Sequence, residues 1–160
     1  IKCNKCVKEC PVMAISLNPL RIDKSKCIGC GACIGVCPLR LFKVPWRSTK
    51  ANVFHERLVE YAKAIATRKK MVYINVLMNI TRHCDCKRGK QTPFTKDIGI
   101  LASTDMLAID KASFDLVNKQ HKCKDAFKKE VGVSPSVQFQ YGELINLGTT
   151  KYDLINIDKP

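Results

Sequence analysis

The stretch CIGCGACIGVCP, Cys27 to Pro38, places four cysteines within twelve residues and closes on a proline. A shorter echo, CNKCVKECP, opens the chain with Cys3, Cys6 and Cys10-Pro11. Thiols this dense suit a disulfide framework, a zinc site or an iron–sulfur cluster. Structural zinc usually takes two ligand pairs across a longer spacer, or cysteine mixed with histidine. Here Cys27, Cys30 and Cys33 share one tight loop and Cys37 follows after three residues, a spacing that favours the cluster. Thiolates two residues apart can wrap three corners of one cubane while a short helix carries the fourth away. Gly29, Gly31 and Gly35 would let the backbone approach the sulfides and donate N–H groups to them. Pro38 turns the chain out of that helix.

The C-x2-C-x2-C-x3-C-P run is that of bacterial two-cluster ferredoxins, whose fourth cysteine ligates the other cluster. Residues 1–45 resemble those proteins over essentially their whole length. The resemblance implies two [4Fe–4S] clusters and a division of ligands. Cys10, Cys27, Cys30 and Cys33 would hold one. Cys3, Cys6 and Cys37 would hold the other, with its fourth ligand upstream of Ile1. The chain lacks an initiator methionine, so the expectation is a cut inside the first motif, with a three-thiolate cluster as the alternative. Between the copies, AISLNPLRID reads as a β-hairpin about an Asn-Pro turn, and LRLFKVP as a returning strand. The resemblance implies low-potential, one-electron transfer between adjacent clusters.

Ten cysteines, no secretory signal and no apolar run of transmembrane length point to a reducing cytoplasmic setting. The motifs occupy barely a quarter of the chain, so residues 46–160 should form a second domain. From Ala51 to Lys69, apolar residues at Val53, Phe54, Leu58, Tyr61, Ala62 and Ile65 keep a helical period. MVYINVLMNI and DIGILAS read as strands, the first covered on both faces. Ser103 or Thr104 can cap a helix through about Lys119, with Leu107, Ile109, Phe114 and Val117 as its buried stripe. A further helix is expected with Ser134 as cap, Pro135 at its first position and Gly148 past its end. KYDLINID reads as a third strand. The expected class is α+β or α/β: a ferredoxin-like unit of hairpins and short helices, then an α/β domain with a mostly parallel sheet.

YINVLMNITRHCDC followed by DIGILASTDMLAIDKASFDLVN resembles the family known as domain of unknown function 362. Members often carry a two-cluster ferredoxin insert within the α/β domain, so the resemblance implies that this chain is the C-terminal part of such a protein. Met106 stands where that family would have a proline after Asp105. The family lends fold and cluster content and no established reaction.

HCDC, His83 to Cys86, falls in a loop just after an expected strand end, where α/β sheets usually bind ligands. Cys84 and Cys86 could pinch a further metal, with His83 or Asp85 as another ligand; reduced thiols that only pack are the alternative. Cys123, near His121 on an expected helix, reads as a small buried hydrophobe. His55 reads as a surface or interface residue. Asp97, Asp105 and Asp110 could form a carboxylate cluster, but Asp105 belongs in a helix's first turn for dipole reasons alone. No phosphate loop, dinucleotide fingerprint or nucleophile elbow is present. No catalytic constellation emerges, and the chain reads as an oxidoreductase or redox-enzyme component at most.

Twenty-eight Lys and Arg against fourteen Asp and Glu give a net charge of +14. Two oxidised clusters with their thiolates would lower this only to about +10. An acidic redox partner protein suits such a surface. Scattered lysines with few interleaved aromatics argue against nucleic acid. Two functions remain: electron transfer through two [4Fe–4S] clusters to a reductive site or partner, or a cluster-bearing binding, sensing or assembly protein without redox catalysis.

Overall fold

A computed structural model describes residues 3–44, 49–68, 70–84 and 89–158, and the chain divides into two units, Ile1–Ser48 and Thr49–Pro160. In the first, α1 (Lys5–Lys8) follows Asn4, whose φ of 56° turns the chain into the helix. Strands β1 (Ile15–Leu17) and β2 (Leu20–Ile22) form the expected hairpin, antiparallel with Ile15 opposite Ile22, about a cis Asn18–Pro19 bond. Asp23 N–H donates to the Ala14 carbonyl at 2.8 Å, adding one more backbone bond beyond the hairpin's end. Asp23 Oδ1 then accepts from Ser25 N (2.9 Å) and Ser25 Oγ (2.6 Å), which holds its pKa below the usual carboxylate value. Helix α2 (Ala32–Val36) packs against α1.

The strand expected over 39–45 does not form in the described part, 39–44. Arg40 has a φ of 50°, and Arg40 N–H and Leu41 N–H donate to Cys37 O (3.0 Å) and Cys37 Sγ (3.4 Å). The chain wraps the Cys37 thiol instead of extending.

In the second unit, α3 (Ala51–Ala66) packs on α6 (Ser136–Leu144) through buried Val59, while Phe54, Leu58, Tyr61 and Ile65 of its apolar period are exposed. Strands β3 (Tyr73–Leu77) and β4 (Gly99–Ser103) pair antiparallel, Tyr73 opposite Ser103. This corrects the expectation of a mostly parallel sheet, because the segment joining the strands contains no crossover helix among the described residues. It also corrects the strand covered on both faces. Leu77 is buried on the side facing α4 (Met106–His121), while Ile74, Val76 and Ile100 lie open on the other.

Helix α4 begins one or two residues later than expected. Asp105 is its cap, with Oδ1 accepting from Leu107 N (2.8 Å) and Ala108 N (2.9 Å), and Ser103 Oγ accepts from Asp105 N. Leu107, Ile109 and Val117 are buried, Phe114 half-buried. Buried Asn118 closes the next turn, donating to Lys124 O (3.0 Å) and accepting from Ala126 N (2.8 Å). Cys123 therefore sits in that turn, not on a helix, and a short α5 (Ala126–Val131), capped by Asp125, follows. At α6, Ser134 Oγ accepts from Ser136 N at 3.2 Å. The left-handed residue ending α6 is Asn146 (φ 57°), with Leu147 N–H returning to Gly142 O. Gly148 has another task. A Cβ there would stand 2.2 Å from Asp105 Oδ1, and Thr149 N–H donates to Asp105 Oδ2 at 3.0 Å.

KYDLINID forms no strand. Thr150 bonds Glu143 of α6 and Tyr152 OH bonds Asp115 of α4 (2.9 Å), so the segment is tied to helices and not to a sheet edge. These bonds lower the Glu143 pKa, while burial and the Asp115 contact push Tyr152 up to about 12.

Asp105→Ala should destabilise the second unit by about 1–2 kcal/mol in urea denaturation. Gly148→Ala should cost at least about 1 kcal/mol alone and distinctly less in the Asp105→Ala background; strict additivity would show that the two residues do not meet.

Candidate metal centre

Cys10, Cys27, Cys30 and Cys33 line one recess in the first unit, walled by Val12, Ala14, Ile15 and Ile22. Cys27 and Cys30 come from the loop running into α2 and Cys33 from the first turn of α2, which Gly31 (φ 76°) starts without a side-chain cap. The fourth comes from the turn after α1, where Cys10 Sγ accepts the Ala14 N–H at 3.2 Å. Burial raises the Cys33 thiol pKa, and proximity to Cys27 and Cys30 raises it further. The Cys37 pKa is lowered, chiefly by the Leu41 N–H aimed at its sulfur. Cys6 is buried on α1, and Cys3 is exposed just before it. None of these seven cysteines is in a disulfide.

Among the described residues, no three His, Cys, Asp or Glu side chains stand close enough to hold a metal ion. A cubane distributes its thiolates over four irons, whereas zinc draws its ligands to about 2.3 Å from one centre. A recess with four thiols on its rim, apolar walls and the Ala14 N–H turned toward the Cys10 sulfur has the donor set for a thiolate-held metal group.

The other candidates separate. His83 and Cys84 are exposed, and their carbonyls accept from Thr81 Oγ1 (2.8 Å) and Gln91 Nε2 (3.0 Å). Cys86 and Asp85 lie outside the described residues. Cys123 is half-buried, its N–H donating to Asn118 O. The three aspartates do not converge: Asp97 Oδ1 accepts from Asn79 N (2.8 Å), Asp105 caps α4, and Asp110 Oδ1 accepts from Asn75 Nδ2 (2.8 Å). His55 is half-buried on α3, with Nδ1 3.4 Å from Gln138 Nε2 of α6. It lines a cavity with Asp110, Phe114, Phe127 and Phe139. Sequence reasoning missed this cavity, and recurring phenylalanines near 114, 127 and 139 were its one visible trace.

A thiol-lined recess in one unit and a mixed α/β second unit define a cysteine-rich α/β protein. The profile of the family described as Domain of unknown function (DUF362) matches residues 5–115, more than half of the sequence, and the chain belongs to that family. It is also similar to one component of the ion-translocating oxidoreductase complex of Methanosarcina acetivorans, 44% identical over 46 residues. That stretch is 28% of this chain and 17% of the relative, so the match spans only a small part of the relative's length. No solved structure matches. No helix among the described residues is long and apolar enough to cross a membrane.

Gly31→Ala should lower stability by about 1 kcal/mol, because a Cβ is strained at that φ. Gly35→Ala, in α2 with open space around it, should be neutral or stabilising. Melting temperatures of the two variants check this; equal losses would remove the special role of Gly31.

Proposed function

We propose that this protein carries electrons through two [4Fe–4S] clusters held by its first unit. The observation that carries the reading is the recess rimmed by Cys10, Cys27, Cys30 and Cys33, with the shared motif spacing in support. These four would hold one cluster. Cys3, Cys6 and Cys37 would supply thiolates to the other. Bound clusters supply one-electron exchange at low potential. The chain's own contribution is to position the thiolates, to aim the N–H groups of Ala14 and Leu41 at sulfur, and to wall the recess with Val12, Ile15 and Ile22. Hydrogen bonds to sulfur and water exclusion are the means by which a protein tunes such a centre. The excess of Lys and Arg suits an acidic redox partner in a reducing cytoplasm.

Iron and acid-labile sulfide per chain after anaerobic purification, with EPR of the reduced protein, test the proposal. The expected result is roughly eight of each per chain with spin-coupled signals. Cys27→Ser should remove one cluster's share and leave the other, while Cys123→Ser should remove none. Little iron with stoichiometric zinc, or two signals surviving Cys27→Ser, would overturn the reading.

Stripping the iron should also expose residues 1–48 to limited proteolysis while 49–160 stay resistant, because the first unit has the smaller apolar core. Unchanged cleavage on chelation would contradict a metal-held first unit.

A further inference from the structure

The cavity missed by sequence reasoning lies among α3, α4, α5 and α6 of the second unit and holds about 290 Å³. That is the small end of ligand pockets, room for one ring system with a short head. Its floor is aromatic. Phe114 stacks on Phe127 (centroids 6.0 Å apart, planes 19° apart) and meets Phe139 at 5.4 Å and 58°. A flat apolar body has ring faces to lie against there.

The polar groups are few and already oriented. Asn75 Nδ2 donates to Asp110 Oδ1 (2.8 Å) and to Ser113 Oγ (3.0 Å), and Ser113 Oγ donates to Ile109 O (2.7 Å). The donors of this network are directed at acceptors inside it. Asp110 is thereby held as an acceptor at the cavity's solvent-reachable wall, and an ionised carboxylate has capacity for donors beyond Asn75. Desolvation by surrounding atoms raises its pKa, against the Asn75 bond, although the side chain still reaches solvent.

Charge selects the ligand's sign. Cations outnumber acids two to one in the chain, yet the described lining contains a carboxylate and neither lysine nor arginine. His55 is the one basic side chain in the described lining and Asp110 the one carboxylate, so an anion would meet Asp110 directly, whereas a cation would find both a carboxylate and three rings.

We propose that this cavity binds a small planar aromatic cation or amine, its ring on Phe114, Phe127 and Phe139 and its N–H donors on Asp110. The proposal is independent of the cluster reading, since all its residues lie in the second unit.

Benzamidine and benzoate, one ring with opposite charges, are the probes, titrated into the full chain by NMR. Benzamidine should bind with a Kd on the order of 1 mM, as its size allows. Benzoate should bind at least about tenfold more weakly, and Asp110→Asn should weaken benzamidine by about tenfold while leaving the melting temperature within a few degrees. Equal binding of the two probes, no saturable benzamidine binding up to about 10 mM, or full affinity in a folded Asp110→Asn variant would each overturn the proposal. If Asp110→Asn does not fold, the comparison of the two probes on the unaltered chain decides.

Discussion

Apolar burial is scarce in Ile1–Ser48, and this scarcity conditions everything its cysteines do. Among its described residues Cys6, Ala14 and Ile15 are buried, while Met13, Leu20, Ile22, Ile28, Leu39 and Leu41 are exposed. A unit of 48 residues with so small a core falls short of the burial that offsets chain entropy, and such units commonly rely on cross-links or metal. Disulfides do not supply the link, since all seven thiols are unpaired. Under the proposed function, the clusters that would carry electrons would also hold this unit together, through ligands drawn from α1, α2 and the segments flanking them.

The second unit depends on side chains that satisfy backbone at element ends. Asp105 is the clearest case. One carboxylate oxygen caps α4 and the other holds Thr149, a residue 44 positions away, with Gly148 leaving room for the approach. Asn118 joins the end of α4 to the start of α5, and the Lys63 ammonium donates to the Ile145 carbonyl at the end of α6. Most of these bonds meet groups that a helix end leaves unpaired, the others tie down the adjoining loops, and together they arrange the four helices around the aromatic cavity.

The elements encoded within a few residues were legible. The hairpin at 15–22, the long helices over 51–66 and 106–121, and the two strands fell close to where alternation and helical period put them. Errors arose where a hydrogen-bond partner outside the segment, near or far along the chain, decided the outcome. Leu39 to Val44 has a strand's composition, but backbone N–H groups turned to Cys37. KYDLINID has one too, but its bonds run to Glu143 and Asp115 on helices. Strand direction was misjudged because an apolar run looks alike in parallel and antiparallel pairs.

The sequence by itself determined the donor chemistry: seven thiols at cluster spacing, the turn residues between them, and caps such as Asp125 that act on their own helix. These interactions span a few residues, so the local order of side chains is enough to specify them. Tertiary structure alone decided that β3 and β4 run antiparallel, that Asp105 serves two segments, and that Phe114, Phe127 and Phe139 surround a cavity with Asp110 at its wall. Those outcomes depend on which surfaces meet when helices from distant parts of the chain pack, and no local pattern carries that information.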